Sequence, residues 1–183
     1  PERDVYATTF SAGVAPQPVA VYLHGTGVAN NPPVLSLDAV APTATAAKYK
    51  DSPSVQFGGG NPWTEVGTWT AAPPLVGQPL TAVGDMTVWL GLRNSDDIGS
   101  RFDVRAEALR NGVPFASGES WCIPGVVRNP NQAKPVTIGF NPFTAVPFNG
   151  SDVFEVRVLA RIGTNGAGSH CGGHNNAVGL RAY

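Results

Sequence analysis

The sequence predicts an all-β fold, an antiparallel β-sandwich of the jelly-roll or Ig-like kind with about eight or nine strands. Three observations lead there: strict apolar/polar alternation in the longest patterned stretches, turn residues at short intervals, and a lack of helical periodicity. Side chains on a strand point to opposite faces at every second residue, so alternation is the signature of a half-buried strand. The turn residues are abundant. The chain holds 22 Gly and 17 Pro in 183 residues, about a fifth of the total, where roughly 12% is usual for the pair. Many short strands separated by such punctuation indicate packed antiparallel sheets and not a βαβ repeat.

The clearest stretch is 85–119. Met86, Val88, Leu90 and Leu92 fall on one face and Thr87, Trp89 and Arg93 on the other. Then Phe102, Val104, Ala106 and Ala108 alternate with Arg101, Asp103, Arg105 and Glu107. Asn111-Gly112 follows, the dipeptide that best tolerates positive φ at both central positions of a type I′ turn, and 113–117 is read as the returning strand. A further strand at 153–161 turns Phe154, Val156, Val158 and Ala160 inward and Glu155, Arg157 and Arg161 outward. If it neighbours the 102–110 strand, Asp103, Arg105 and Glu107 are placed to meet Arg157 and Glu155 in a charge ladder, each pair contributing roughly 0.2–1 kcal/mol. Shorter strands are expected at 19–23, 34–38, 54–57, 65–69, 136–140 and 177–183, and 39–47 is read as loop.

Residues 1–18 read as an extended N-terminal arm, and 19–183 as one sandwich domain. The arm carries a strand-like piece containing Val5, Tyr6 and Phe10, followed by Ala15-Pro-Gln-Pro18, which excludes helix. Such an arm either closes the sheet of its own domain or adds a strand to the edge of a neighbouring copy, a route to filaments when the contact does not close. The first residue is Pro1 and not Met, which suggests a trimmed mature protein or an excised piece of a longer one.

Charge and hydropathy narrow the partners. The net charge is -1 with 12 scattered basic residues, so no field gathers phosphates and nucleic acid is not expected. No apolar run approaches the roughly 20 residues of a membrane-spanning helix. Charged residues make up 14% and hydrophobic residues 42% of the chain, values that exclude a disordered polymer. The two cysteines, Cys122 and Cys171, are expected to form a disulfide between loops, which suits an oxidising compartment.

Gly60-Asn-Pro-Trp63, Arg101-Phe-Asp-Val-Arg-Ala-Glu107 and Gly179-Leu-Arg-Ala-Tyr183 resemble segments of uncharacterised β-sandwich modules from bacterial secreted and cell-surface proteins. The resemblance implies a setting outside the cell and no particular activity.

Motifs with chemistry are few. Leu23-His-Gly-Thr-Gly27 has the form of a hydrolase oxyanion loop, but no Gly-x-Ser-x-Gly elbow accompanies it; Gly118-Glu-Ser-Trp-Cys122 lacks the closing glycine. His170-Cys-Gly-Gly-His174 offers potential metal ligands, with His24 as a remote fourth, yet a bridged Cys171 provides no thiolate. Asp96 and Asp97 suit a Ca²⁺ loop or, more simply, a turn. Asn149-Gly-Ser151 is formally a glycosylation sequon and reads equally as a tight turn.

Aromatics give the most useful hint. Trp89 lies on the polar side of its strand, and Trp63 and Trp69 share the parity of Glu65, so their indoles are candidate platforms for sugar rings. The expectation is therefore a non-catalytic structural or adhesive module of the cell exterior, without a cofactor, whose partners are copies of itself or other surface proteins. The alternative is a carbohydrate-binding module using those tryptophans.

Overall fold

The computed structural model describes residues 5–9, 17–25, 31–41, 49–75 and 79–183, with backbone alone at 5–9 and 17–18. It is all-β, a curled multistranded sheet with two short 3-10 helices. In chain order the strands are β1 Val5–Thr9, β2 Gln17–Gly25, β3 Leu35–Asp38, β4 Lys50–Asp51, β5 Val55–Gln56, β6 Thr64–Ala71 and β7 Val83–Leu92. They continue with β8 Phe102–Arg110, β9 Val113–Ile123, β10 Lys134–Ile138, β11 Phe154–Ile162, β12 Asn176–Ala177 and β13 Leu180–Ala182. Thirteen strands thus lie among the described residues, more than the eight or nine expected. The excess has a physical origin: the two-residue β4 carries no alternation to detect, and the expected strand at 177–183 is split at Gly179, whose φ is 148°.

The main sheet runs β4-β13-β7-β1-β2-β3-β6-β11-β8-β9, with β10 on the other side of β7; β5 and β12 form a small separate pair. Among these pairs, β3 and β6 run parallel. Met86 pairs with both Val5 and Ile138, so β1 and β10 flank β7 on opposite edges. Leu90 pairs with both Lys134 and Ala182, so β13 follows β1 along the same edge. Beyond β10, Asn141 N–H donates to the Ser117 carbonyl of β9 at 2.9 Å. That bond joins β9, the last strand of the order, to the chain just beyond β10, which pairs with β7, so the sheet curls back on itself.

The core lies inside the curl. Met86, Val88, Leu90 and Leu92 of β7 are buried together with Phe102, Val104, Ala106 and Ala108 of β8 and Phe154, Val156, Val158, Ala160 and Ile162 of β11. These are the inward sets that the alternation predicts. Burying each of the larger side chains contributes roughly 1.5–3 kcal/mol. Phe115, Phe148 and Phe154 stack edge-on or tilted at one end, with centroids 5.8–6.4 Å apart.

The β8–β9 hairpin forms at Asn111-Gly112 with φ of 52° and 77°, as the dipeptide requires. A loop clamps it. Asn111 Oδ1 accepts from Val153 N–H and its Nδ2 donates to Asp152, while Gly112 N–H donates to Glu155. Glu155 is thereby committed to the turn and not to the expected charge ladder.

Of the expected N-terminal arm, the described residues comprise β1 and the start of β2. β1 pairs antiparallel with β2, Val5 opposite Val21 through Thr9 opposite Gln17, and with β7 on its other side. β1 thus has a neighbour on each side in the sheet of its own chain. Val5 and Tyr6 belong to β1, whereas Phe10 lies outside the described residues.

Candidate functional site

The outer face of β11, β8 and β9 carries a cluster of charged and aromatic side chains. Register places Arg157 opposite Glu107, Leu159 opposite Arg105 and Arg161 opposite Asp103. Because opposite residues on neighbouring strands lie within side-chain reach, ion pairs form across the strands. Arg157 Nε and Nη2 donate to Glu107 at 2.8 and 2.6 Å, and Arg161 Nε donates to Asp103 at 3.0 Å. On the other side of β8, Arg105 Nε donates to Glu119 of β9 at 2.7 Å.

Asp103 is the anchor of this face, with 0% of its surface exposed. Its carboxylate accepts from Arg161 Nε, Cys122 N–H at 2.8 Å, Thr164 N–H at 2.9 Å and Thr164 Oγ1 at 2.7 Å. A buried carboxylate is tolerated when its lone pairs are filled in this way. One side chain thus ties β8 to β9 and to the loop after β11. The same two segments are joined covalently by the Cys122–Cys171 disulfide, with the Cα atoms 6.0 Å apart.

The geometry at Cys122 comes from a β-bulge. Phe102 pairs with Ile123 and Val104 with Ser120, so β9 fits an extra residue opposite β8 at Trp121-Cys122. Cys122 has φ of 52°, and the Asp103 carboxylate holds its N–H. Bulges bend a strand and redirect its side chains. Trp121, two residues on from Glu119, stands on the outer face with 47% of its surface open, and the bulge turns Ile123 back into the core.

Arg161 links two indoles. Its guanidinium lies 5.1 Å from the Trp121 ring centroid and 4.3 Å from that of Trp63, and Arg105 approaches Trp63 at 4.5 Å. Such cation–π contacts are worth about 0.5–1 kcal/mol at exposed sites and more when desolvated. They fix the tilt of the rings in addition to stabilising them.

The expected platforms divide. Trp63 is half-buried between the two arginines, and Trp89 is half-buried on β7. Trp69 is the correction: only 4% exposed, it belongs to the core and offers no open ring. The reason is a bulge in β6, where Val158 pairs with Gly67 but Leu159 pairs with Glu65, which reverses the parity of Trp69 relative to Glu65 and Trp63. Trp121 went unnoticed in the sequence because it lies beyond the expected 113–117 strand. The Trp-Cys pair itself was the available signal.

The histidines do not converge. His170 packs on Phe57, 5.0 Å between ring centroids, and its Nε2 is 3.2 Å from the His174 carbonyl. His24 Nε2 contacts the Val40 carbonyl at 2.8 Å and Asp38 at 3.3 Å. Cys171 is bridged, and among the described residues no group of three or more His, Cys, Asp or Glu is arranged to hold a metal ion. Asp96 and Asp97 sit in a 3-10 turn capped by Asn94, and Asp97 accepts the Val178 N–H at 2.9 Å. Asn149 closes a turn by accepting from Ser151 N–H and Oγ.

At the opposite end, Arg110, Asn111, Val113, Phe115 and Val146 line an open recess of about 330 Å³. Beside it Arg110 donates to Asp152 at 2.7 Å. Arg110, the Asn149 N–H and the Asn111 amide hold the Asp152 carboxyl down to about 2. Arg181 is held further toward its charged form by Asp51 and lies 3.5 Å over the Tyr49 ring. No helix among the described residues is long and apolar enough to cross a membrane. The chain matches no protein-family model, no curated protein and no solved structure.

Proposed function

We propose that this chain is a non-catalytic structural or adhesive module of the cell exterior, with the curled sheet acting as a sandwich of two packed halves. The observation that carries the reading is the knot of Asp103 and the Cys122–Cys171 disulfide. It spends ionisable groups on holding strands together, and disulfides persist in oxidising compartments such as the outside of the cell. Rigidity at the sheet end that carries Trp121 suits a surface built for contact.

Assembly through β1 is part of the proposal. The strand is held by backbone bonds to β2 and β7, and exchange of β1 between two copies remakes the same bonds from one chain to the other. Analytical ultracentrifugation and electron microscopy of the purified protein test this. Concentration-dependent oligomers or filaments are expected; a strict monomer at every concentration contradicts assembly.

The second reading is carbohydrate binding. It is favoured by half-open Trp63 and Trp89 and, above all, by the exposure of Trp121. Such rings stack on the apolar faces of sugars while neighbouring polar groups bind hydroxyls.

A further inference from the structure

We propose that Trp121, with Arg161 against it and the Arg105–Glu119 pair on the same sheet face, is a platform for a pyranose ring of an extracellular glycan. The proposal rests on the carbohydrate-binding reading and gives that reading a site. Its first support is mechanical. The bulge at Trp121-Cys122 is locked from three directions, by the Asp103 carboxylate on the Cys122 N–H, by the disulfide to Cys171, and by Arg101 Nη1 at 3.5 Å from the Cys122 sulfur. A ring so held loses little freedom on binding, which is where preorganised sites gain affinity.

The second support is the composition of the surroundings. Arg161 is shared between Trp121 and Trp63, and Arg105 and Glu119 lie on the same outer face. A protein partner of hydrophobic character is best met by an aromatic ring within a contiguous apolar patch. Here planar guanidinium donors and a carboxylate acceptor accompany the indole. A pyranose has the matching chemistry, an apolar C–H face for the ring and an equatorial rim of hydroxyls for donors and acceptors. Charge on this face is internally paired, which suits a neutral ligand better than an anionic one.

The test is a ¹H–¹⁵N NMR titration of the intact protein, following the indole N–H signals of its four tryptophans, with cellotetraose, chitotetraose, maltotetraose and mannotetraose as probes. At least one is expected to shift the Trp121 signal saturably. Trp121→Ala is expected to weaken that binding about tenfold or more, and Trp121→Tyr to retain most of it. An unchanged Trp69 indole signal shows that the variants remain folded. A saccharide that moves Trp63 or Trp89 and binds equally well after Trp121→Ala overturns the site while leaving the carbohydrate reading intact. Silence of all four indoles toward every probe overturns both, as does a Trp121 signal perturbed by a protein partner alone.

Discussion

Asp103 has no exposed surface, and its carboxylate satisfies Arg161, Cys122 and Thr164 at once. Asp103→Ala leaves a half-buried guanidinium and two backbone N–H groups without their acceptor, and should cost about 3–5 kcal/mol; urea denaturation reads the loss directly. Asp152 governs acid stability differently. Its folded pKa of about 2 lies below the ordinary 3.8, so the stabilisation is complete above roughly pH 4–5 and disappears as the pH falls toward 2. Asp152→Asn should flatten that part of the stability profile, measured by thermal unfolding between pH 5 and 2. Some of this was legible in the sequence. The alternation of 102–108 and 154–161 put Arg157 and Glu107 on one side, but Asp103 looked like one more surface charge. Its burial depends on Thr164 and a bulge in another strand, which no local pattern encodes.

At the scale of elements, the hairpin at Asn111-Gly112 was readable because its dipeptide fits only a narrow set of turns. The bulges were not. One extra residue in β6 put Trp69 in the core, and another in β9 returned Ile123 to the core although it shares the parity of Glu119 and Trp121, so parity counted across either bulge gives the wrong face. Where β9 meets the chain after β10, the backbones approach closely at Gly118: a Cβ there would collide with the Gly139 carbonyl oxygen. Gly118→Ala should therefore destabilise the protein by about 1–3 kcal/mol, as overpacking does, with chemical denaturation as the measure. The disulfide spans 49 residues of sequence. Its replacement by Cys122→Ser with Cys171→Ser should cost about 2–4 kcal/mol and should raise amide hydrogen exchange first in 163–176, where Cys171 N–H bonds the Gly163 carbonyl.

For the whole molecule, the inward alternating sets of β7, β8 and β11 form the core of a sheet that curls until Asn141 meets Ser117. The class of fold followed from period-two patterning, since burial on one face imposes it directly. The strand order did not, because pairing such as β1 between β2 and β7 joins residues far apart in sequence. Function entered the sequence only as an expected setting, argued from the cysteine pair and the sparse charge, while the exposure of Trp121 became evident only in the structure. The account depends on this module working outside the cell. Immunogold electron microscopy of intact, unpermeabilised producing cells tests that claim most directly. Label on the outer surface or on material extending from it is the predicted result; label reached only after the cells are opened, on protein whose Cys122 and Cys171 are reduced, would contradict it.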